Sequence, residues 1–109
     1  MDEIMDVIIE NDSMMYQINE KTKTASIKQS ILLYEDDVFI PRAINLQSQE
    51  FIITSILRKA FYKSKVKSIR FASDSELQVI EEEAFQDSSI ESLSIPSQLN
   101  IIGKKSFNN

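Results

Sequence analysis

The chain has 109 residues, 42% of them hydrophobic, which suits one domain built on one core. It contains neither Cys nor His, which removes disulfides, thiolate zinc sites, thiol nucleophiles and any Ser-His or Cys-His catalysis. A formal net charge of −5, from 17 acids and 12 bases, disfavours nonspecific attraction to nucleic acid or to an anionic membrane.

Met1 to Met15 carries acids where a secretory signal has positive charge, and its apolar run is short and interrupted, so no signal peptide is expected. No stretch approaches the roughly 20 apolar residues that cross a bilayer, so a soluble chain with no membrane span is expected. Ile4, Val7 and Ile8 share a helical face, while Val7 to Ile9 suit a buried strand equally well; periodicity leaves both open. Asn11-Asp12-Ser13 is a formal glycosylation sequon, expected to be idle without secretion. Residues 16–18 and 25–27 alternate like a small hairpin around the polar turn Asn19 to Thr24. Glu35-Asp36-Asp37 reads as a polar turn before a strand at Val38 to Ile40 and lacks the spacing of a calcium loop. Residues 1–50 are therefore assigned to an N-terminal lead-in and capping segment.

From residue 51 the chain repeats. Ile53, Leu77 and Leu99 align, as do Ile56, Ile80 and Ile102, then Ala60, Ala84 and Ser106, then Phe61, Phe85 and Phe107. The steps are 24 residues from Phe61 to Phe85 and 22 from Phe85 to Phe107. Val66, Ile69 and Phe71 match Ile90, Leu93 and Ile95 in a pattern I-x-x-L-x-I, which places alternating apolar side chains on one face of a short strand. Pro96 follows directly, where it ends the ladder without removing a needed donor. A period in the low twenties with one strand per unit signals a leucine-rich solenoid whose coils must stack to bury their apolar sides. The three phenylalanines are expected to stack inside it, with Phe39 and Phe51 capping the column.

The charges are segregated along the chain. Arg58, Lys59, Lys63, Lys65, Lys67 and Arg70 occur with no acid between residues 58 and 70; Asp74, Glu76, Glu81, Glu82, Glu83, Asp87 and Glu91 occur with no base between 74 and 91. At the 24-residue step Arg58 falls over Glu82, Lys59 over Glu83, Lys63 over Asp87 and Lys67 over Glu91. At the 22-residue step Glu82 falls over Lys104 and Glu83 over Lys105. Coils one strand spacing apart, about 5 Å, would bring these pairs within ion-pair reach. Lysines already facing carboxylates argue against nucleic-acid binding. The cluster Glu81 to Glu83 has a second reading, as a carboxylate or divalent-ion catalytic centre; the solvated, coil-pairing reading is preferred because Glu is seldom buried.

IRFASDSELQVIEEEAFQDSSIESLSIP and SIESLSIPSQLNIIGKKSF resemble the BspA-type leucine-rich repeat, roughly L-x-x-I-x-I-P-x-x-V-x-x-I-G-x-x-A-F with a Cys or Ser turn after it. MYQINEKTKTASI, VFIPRAI and FIITSI are similar to the segment that precedes the first repeat in such proteins. The resemblance implies a β-rich α/β solenoid of short coils of about 22–24 residues with an irregular β capping segment. It also implies a surface antigen or secreted adhesion protein that binds a protein partner without catalysis, cofactor or metal. Leu57 and Glu81 stand where the repeat has Gly, which only Gly103 keeps, and Ser64 and Ser88 stand where many members have Cys.

On that pattern the outward strand residues Ser68, Arg70, Ser92 and Ser94 are the candidate partner-binding set, on the concave face of residues 51–109. The chain stops two residues past Phe107, before a further strand, so the last coil is expected to be incomplete. It then reads as a unit of a longer array whose open end can self-associate.

Overall fold

The structure, a computed structural model, describes residues 4–9, 14–30, 37–94 and 101–102. Alternation governs its first part. β2 (Met14–Asn19) buries Met14, Tyr16 and Ile18, and β3 (Thr24–Ser30) buries Ala25 and Ile27. The two strands pair antiparallel with Tyr16 opposite Ile27 and Ile18 opposite Ala25. Asn19 closes the hairpin, its Oδ1 accepting the backbone N–H groups of Lys21 at 3.0 Å and Thr22 at 3.1 Å. β1 (Ile4–Ile9) runs antiparallel to β2, so of the two readings of the N-terminal segment the strand is the one realised.

Beyond the hairpin lie β4 (Asp37–Ile40), β5 (Ala43–Leu46), β6 (Gln49–Ile56), β7 (Ser68–Phe71), β8 (Val79–Ile80), β9 (Ser92–Leu93) and β10 (Ile101–Ile102). They build two ladders. The larger sheet runs β1-β2-β3-β6-β8-β10 with β5 paired to β6, and the smaller runs β4-β7-β9. Along β3-β6-β8-β10 the large sheet is parallel, with Ile27 opposite Ile56, Ile56 opposite Ile80 and Ile80 opposite Ile102, while β5 joins β6 antiparallel. The last two pairings reproduce the 24- and 22-residue steps of the repeat. In the small sheet Ser68 lies opposite Ser92 and Ile69 opposite Leu93, again 24 apart. β4 is a further rung, with Asp37 opposite Ser68 and Ile40 opposite Phe71. Its longer step accommodates the β5–β6 hairpin, which turns at Gln47 and Ser48 with φ of 52° and 65°.

The turn after β6 recurs after β8. Ala60, Tyr62 and Ser64 donate their N–H groups to the carbonyls of Leu57, Lys59 and Phe61; Ala84, Gln86 and Ser88 donate to Glu81, Glu83 and Phe85. Lys59 and Glu83 take φ of 60° and 62°, and Lys63 and Asp87 both take 56°. The positive φ falls two residues after Leu57 and Glu81, so the absence of Gly at those two positions strains nothing there. The turns are also bonded to each other, Phe61 N–H to the Ala84 carbonyl at 2.8 Å and Lys63 N–H to that of Gln86 at 3.0 Å. Ser64, at the family's frequent Cys position, uses its hydroxyl to accept the Val66 N–H at 3.1 Å.

Between ladders and turns lies the core. Ile53 and Leu77, Ile56 and Ile80, Ala60 and Ala84, and Phe61 and Phe85 are all buried. The two phenyl rings stack at 5.2 Å with an interplanar angle of 17°. One expectation about this column changes. Phe39 does not cap this column: β4 alternates Val38 and Ile40 inward, leaving Phe39 49% exposed on the outside of the sheet. Phe51 is buried on the hairpin strand β6, with the Lys23 ammonium 5.5 Å from its ring. No helix occurs among the described residues, so tight turns form the coil sides that an α/β solenoid would give to helices. Among those residues no helix is long and apolar enough to cross a membrane. Phe107, Gly103, the sequon at Asn11, and Glu35 and Asp36 of the polar turn lie outside the described residues.

Phe85→Ala removes the partner ring of Phe61 and opens a cavity, and should lower unfolding free energy by about 3–5 kcal/mol in urea melts. Lys63→Gly removes a Cβ from a left-handed position and should raise stability by up to about 1 kcal/mol. Lys65→Gly, at a position of ordinary φ, should lower it in the same assay.

Candidate functional site

Side chains alternate across the pleat of β4, β7 and β9. Val38, Ile40 and Ile69 turn to the core, so Asp37, Phe39, Ser68, Arg70 and Ser92 share the opposite face. Ser94 continues it just past β9, where its N–H donates to the Ile69 carbonyl at 3.2 Å. The structure thus brings Ser68, Arg70, Ser92 and Ser94 onto one surface, with Ser68 half-buried and the other three exposed.

The sequence reading overlooked that β4 supplies two more residues to this surface. The Ser68 hydroxyl donates to the Asp37 carboxylate, and the Arg70 guanidinium lies 5.7 Å from the Phe39 ring centroid. A cation over an exposed ring contributes about 0.5–1 kcal/mol, enough to hold Arg70 against its neighbouring strand. The signal was in the chain: Val38-Phe39-Ile40-Pro41 has the same alternation and Ile-Pro ending as Leu93-Ser94-Ile95-Pro96. The face therefore carries an aromatic-cation centre flanked by small hydroxyls, about 10 Å wide across three strands.

The turn edge is electrostatically different from the expected columns. Arg58 pairs with Glu83, one residue beyond its predicted partner Glu82, with Nη2 2.5 Å and Nε 2.7 Å from the same oxygen. Glu81 Oε1 also accepts the backbone N–H of Arg58 at 3.0 Å. Stacked backbones do not force side chains to project straight across: the long guanidinium reaches diagonally to Glu83, while Glu82 faces solvent. The hydrogen bond that Arg58 donates to Glu83 raises the Arg58 pKa above its ordinary value. Lys59 and Lys63 lie 5.1 and 5.3 Å from the Tyr62 ring instead of pairing with Glu83 and Asp87. Lys67 meets the next coil through its carbonyl, which accepts the N–H groups of Glu91 at 2.7 Å and Ser92 at 3.1 Å. Lys104 and Lys105 lie outside the described residues.

Of the acidic cluster, then, two carboxylates are engaged by Arg58. Among the described residues no three acidic side chains converge as a cation site. A second ion pair ties the hairpin to the following coil: Arg42 reaches Glu76 at 2.6 Å and Glu50 at 3.5 Å, and the hydrogen bond it donates to Glu76 raises its pKa.

Comparison with known proteins gives a consistent result. Residues 38–109 match the family described as a BspA type leucine rich repeat region of six copies. No curated protein matches the chain. Among solved structures, a leucine rich cell surface protein from Faecalibacterium prausnitzii superposes with a TM-score of 0.76 at 21% identity, over 94% of this chain and 27% of that one. A leucine-rich repeat protein from Bacteroides capillosus superposes with a TM-score of 0.53 at 18% identity, over 91% of this chain and 98% of that one. At these identities the likeness is one of fold, and the chain spans about a quarter of the Faecalibacterium protein.

Proposed function

The chain belongs to the BspA-type leucine-rich repeat family, and from that premise we propose that it is a protein-interaction and adhesion module that binds a protein partner through the outer face of β4, β7 and β9. The observation that carries this reading is the register of the small sheet. It aligns Asp37 with Ser68 and Ser92, and Phe39 with Arg70, on strands held from behind by buried Val38, Ile40 and Ile69. A rigid sheet lowers the ordering entropy of binding, and aromatic residues and arginine are both enriched at protein interfaces. Ser68, Ser92 and Ser94 give hydrogen bonds without crowding that anchor.

In this reading residues 1–50 cap the stack and contribute β4 as its first rung, and residues 51–109 supply the coils. The surface setting named for the Faecalibacterium protein extends to this chain as part of the proposal. The coils act as a unit of a repeat array, in which the ladder edge opposite the cap meets a further copy or coil.

A partner selected on the wild-type chain should lose at least about tenfold in affinity on Phe39→Ser or Arg70→Ser, since an anchor contributes upward of about 1.4 kcal/mol. Thermal melting should fall by no more than the few degrees that loss of the Arg70–Phe39 contact costs, and Lys65→Ala, outside the face, should bind normally. Equal binding by all three variants, measured by titration calorimetry, would sink this assignment. Self-association is checked separately: sedimentation equilibrium should show mass rising with concentration, and a strict monomer at high concentration counts against it.

A further inference from the structure

The forked donors of arginine fit a carboxylate side by side, and the chain has three arginines, Arg42, Arg58 and Arg70. Two are occupied: Arg42 holds Glu76 at 2.6 Å, and Arg58 holds Glu83. Arg70 differs. Among the described residues its guanidinium meets no carboxylate, and the group it does meet, the Phe39 ring, has no acceptor atom for its N–H groups. It stands exposed on the outer face of the small sheet.

The register divides that face into two rows of different character. Asp37, Ser68 and Ser92 form one, and its acid is already used, since Asp37 accepts the Ser68 hydroxyl. Phe39 and Arg70 form the other; Ser94 continues it, because it follows Leu93, the residue opposite Ile69. This second row carries the uncompensated charge, set between a half-exposed aromatic ring and an exposed serine. A group seated between Arg70 and Ser94 lies one and a half strand spacings from Phe39, about 7 Å, and an extended chain places side chains on one face at about that interval. With Arg70 against it, the Phe39 ring offers only part of its surface, which suits an apolar side chain better than the flat stacking of a sugar.

We propose that the row Phe39, Arg70, Ser94 seats an extended segment of the partner protein that carries a carboxylate two residues from an apolar side chain, the carboxylate on Arg70 and Ser94 and the apolar group on Phe39. The proposal rests on the protein-interaction reading of this face and names what the face recognises.

The test selects a phage-displayed library of random dodecapeptides on the full chain and measures the recovered peptides, resynthesised with fluorescein, by anisotropy. Sequences with Asp or Glu two residues from an aliphatic or aromatic side chain should dominate. Arg70→Gln and Phe39→Ser should each weaken them about tenfold, and Arg70→Lys about threefold, because an ammonium lacks the fork. Changing the peptide's acid to its amide should cost about tenfold on the wild-type chain and less than about twofold on Arg70→Gln, a coupling that marks direct contact. Lys65→Gln removes one positive charge outside the face and should weaken binding less than about twofold. Recovered peptides that need Phe39 but no acid overturn the carboxylate assignment and leave the protein-interaction reading standing. Peptides indifferent to both residues, or no binders at all, also overturn the assignment, whereas the wider reading falls only if a folded partner ignores Phe39 and Arg70 too. Displacement of the peptides by an equal or lower concentration of sialyllactose overturns it in favour of an acidic glycan.

Discussion

Everything in this protein depends on parallel register between successive coils. Val79 lies beside Ser55, Ser92 beside Ser68, and the Phe85 ring against that of Phe61, all at one 24-residue step. Because strand side chains alternate, a slip of one residue would turn Ile69 out and Arg70 in, exchanging core for surface along β7. The buried column of Ile56, Ile80, Ala60, Ala84 and the two rings penalises that slip. One hydrophobic constraint thereby sets which residues form the outer face and which line the turn edge.

The turns keep this register despite unfavourable backbone. Four non-glycine residues, Lys59, Lys63, Glu83 and Asp87, are left-handed at equivalent places in two coils. Such residues cost on the order of 1 kcal/mol each. The cost recurs because the geometry gives something back: the first turn donates Phe61 and Lys63 N–H groups to carbonyls of the second, and the same bend drops Phe61 and Phe85 into the core. Charge plays a lesser part. Arg58 and Glu83 form an exposed, diagonal pair of a kind that contributes little to stability, but it favours an acidic turn as the neighbour of a basic one.

A scaffold of this kind holds different chemistry on different sides without changing its core. The small sheet displays an aromatic-cation pair and hydroxyls; the turn after β6 displays lysines around a tyrosine. Each surface is backed by its own ladder, so its side chains are presented on hydrogen-bonded backbone. With a radius of gyration of 13.0 Å the stack is short, and each surface is only a few strands wide.

The repeat was legible in the chain because a buried column demands the same residue type at each step. Ile56 with Ile80, Ala60 with Ala84 and Phe61 with Phe85 could be aligned by eye, and so could the outward Ser68, Arg70, Ser92 and Ser94, since alternation follows from the strand. Phe39 was misplaced because an aromatic on a β-strand reads as core, and only pairing with β7 shows that its parity is outward. The Arg58 ion pair was displaced by one residue because sequence offset aligns backbones, whereas side-chain length and a left-handed φ decide where a charge ends up. The contact of Arg70 with Phe39 was invisible for a related reason: the two are far apart in the chain and meet only when β4 pairs with β7. Sequence alone therefore determined the period, the core column and the alternation, all of them local or strictly periodic demands of burial. Tertiary structure decided which distant surface residues became neighbours, because solvent-exposed positions leave no periodic trace of what they stand beside.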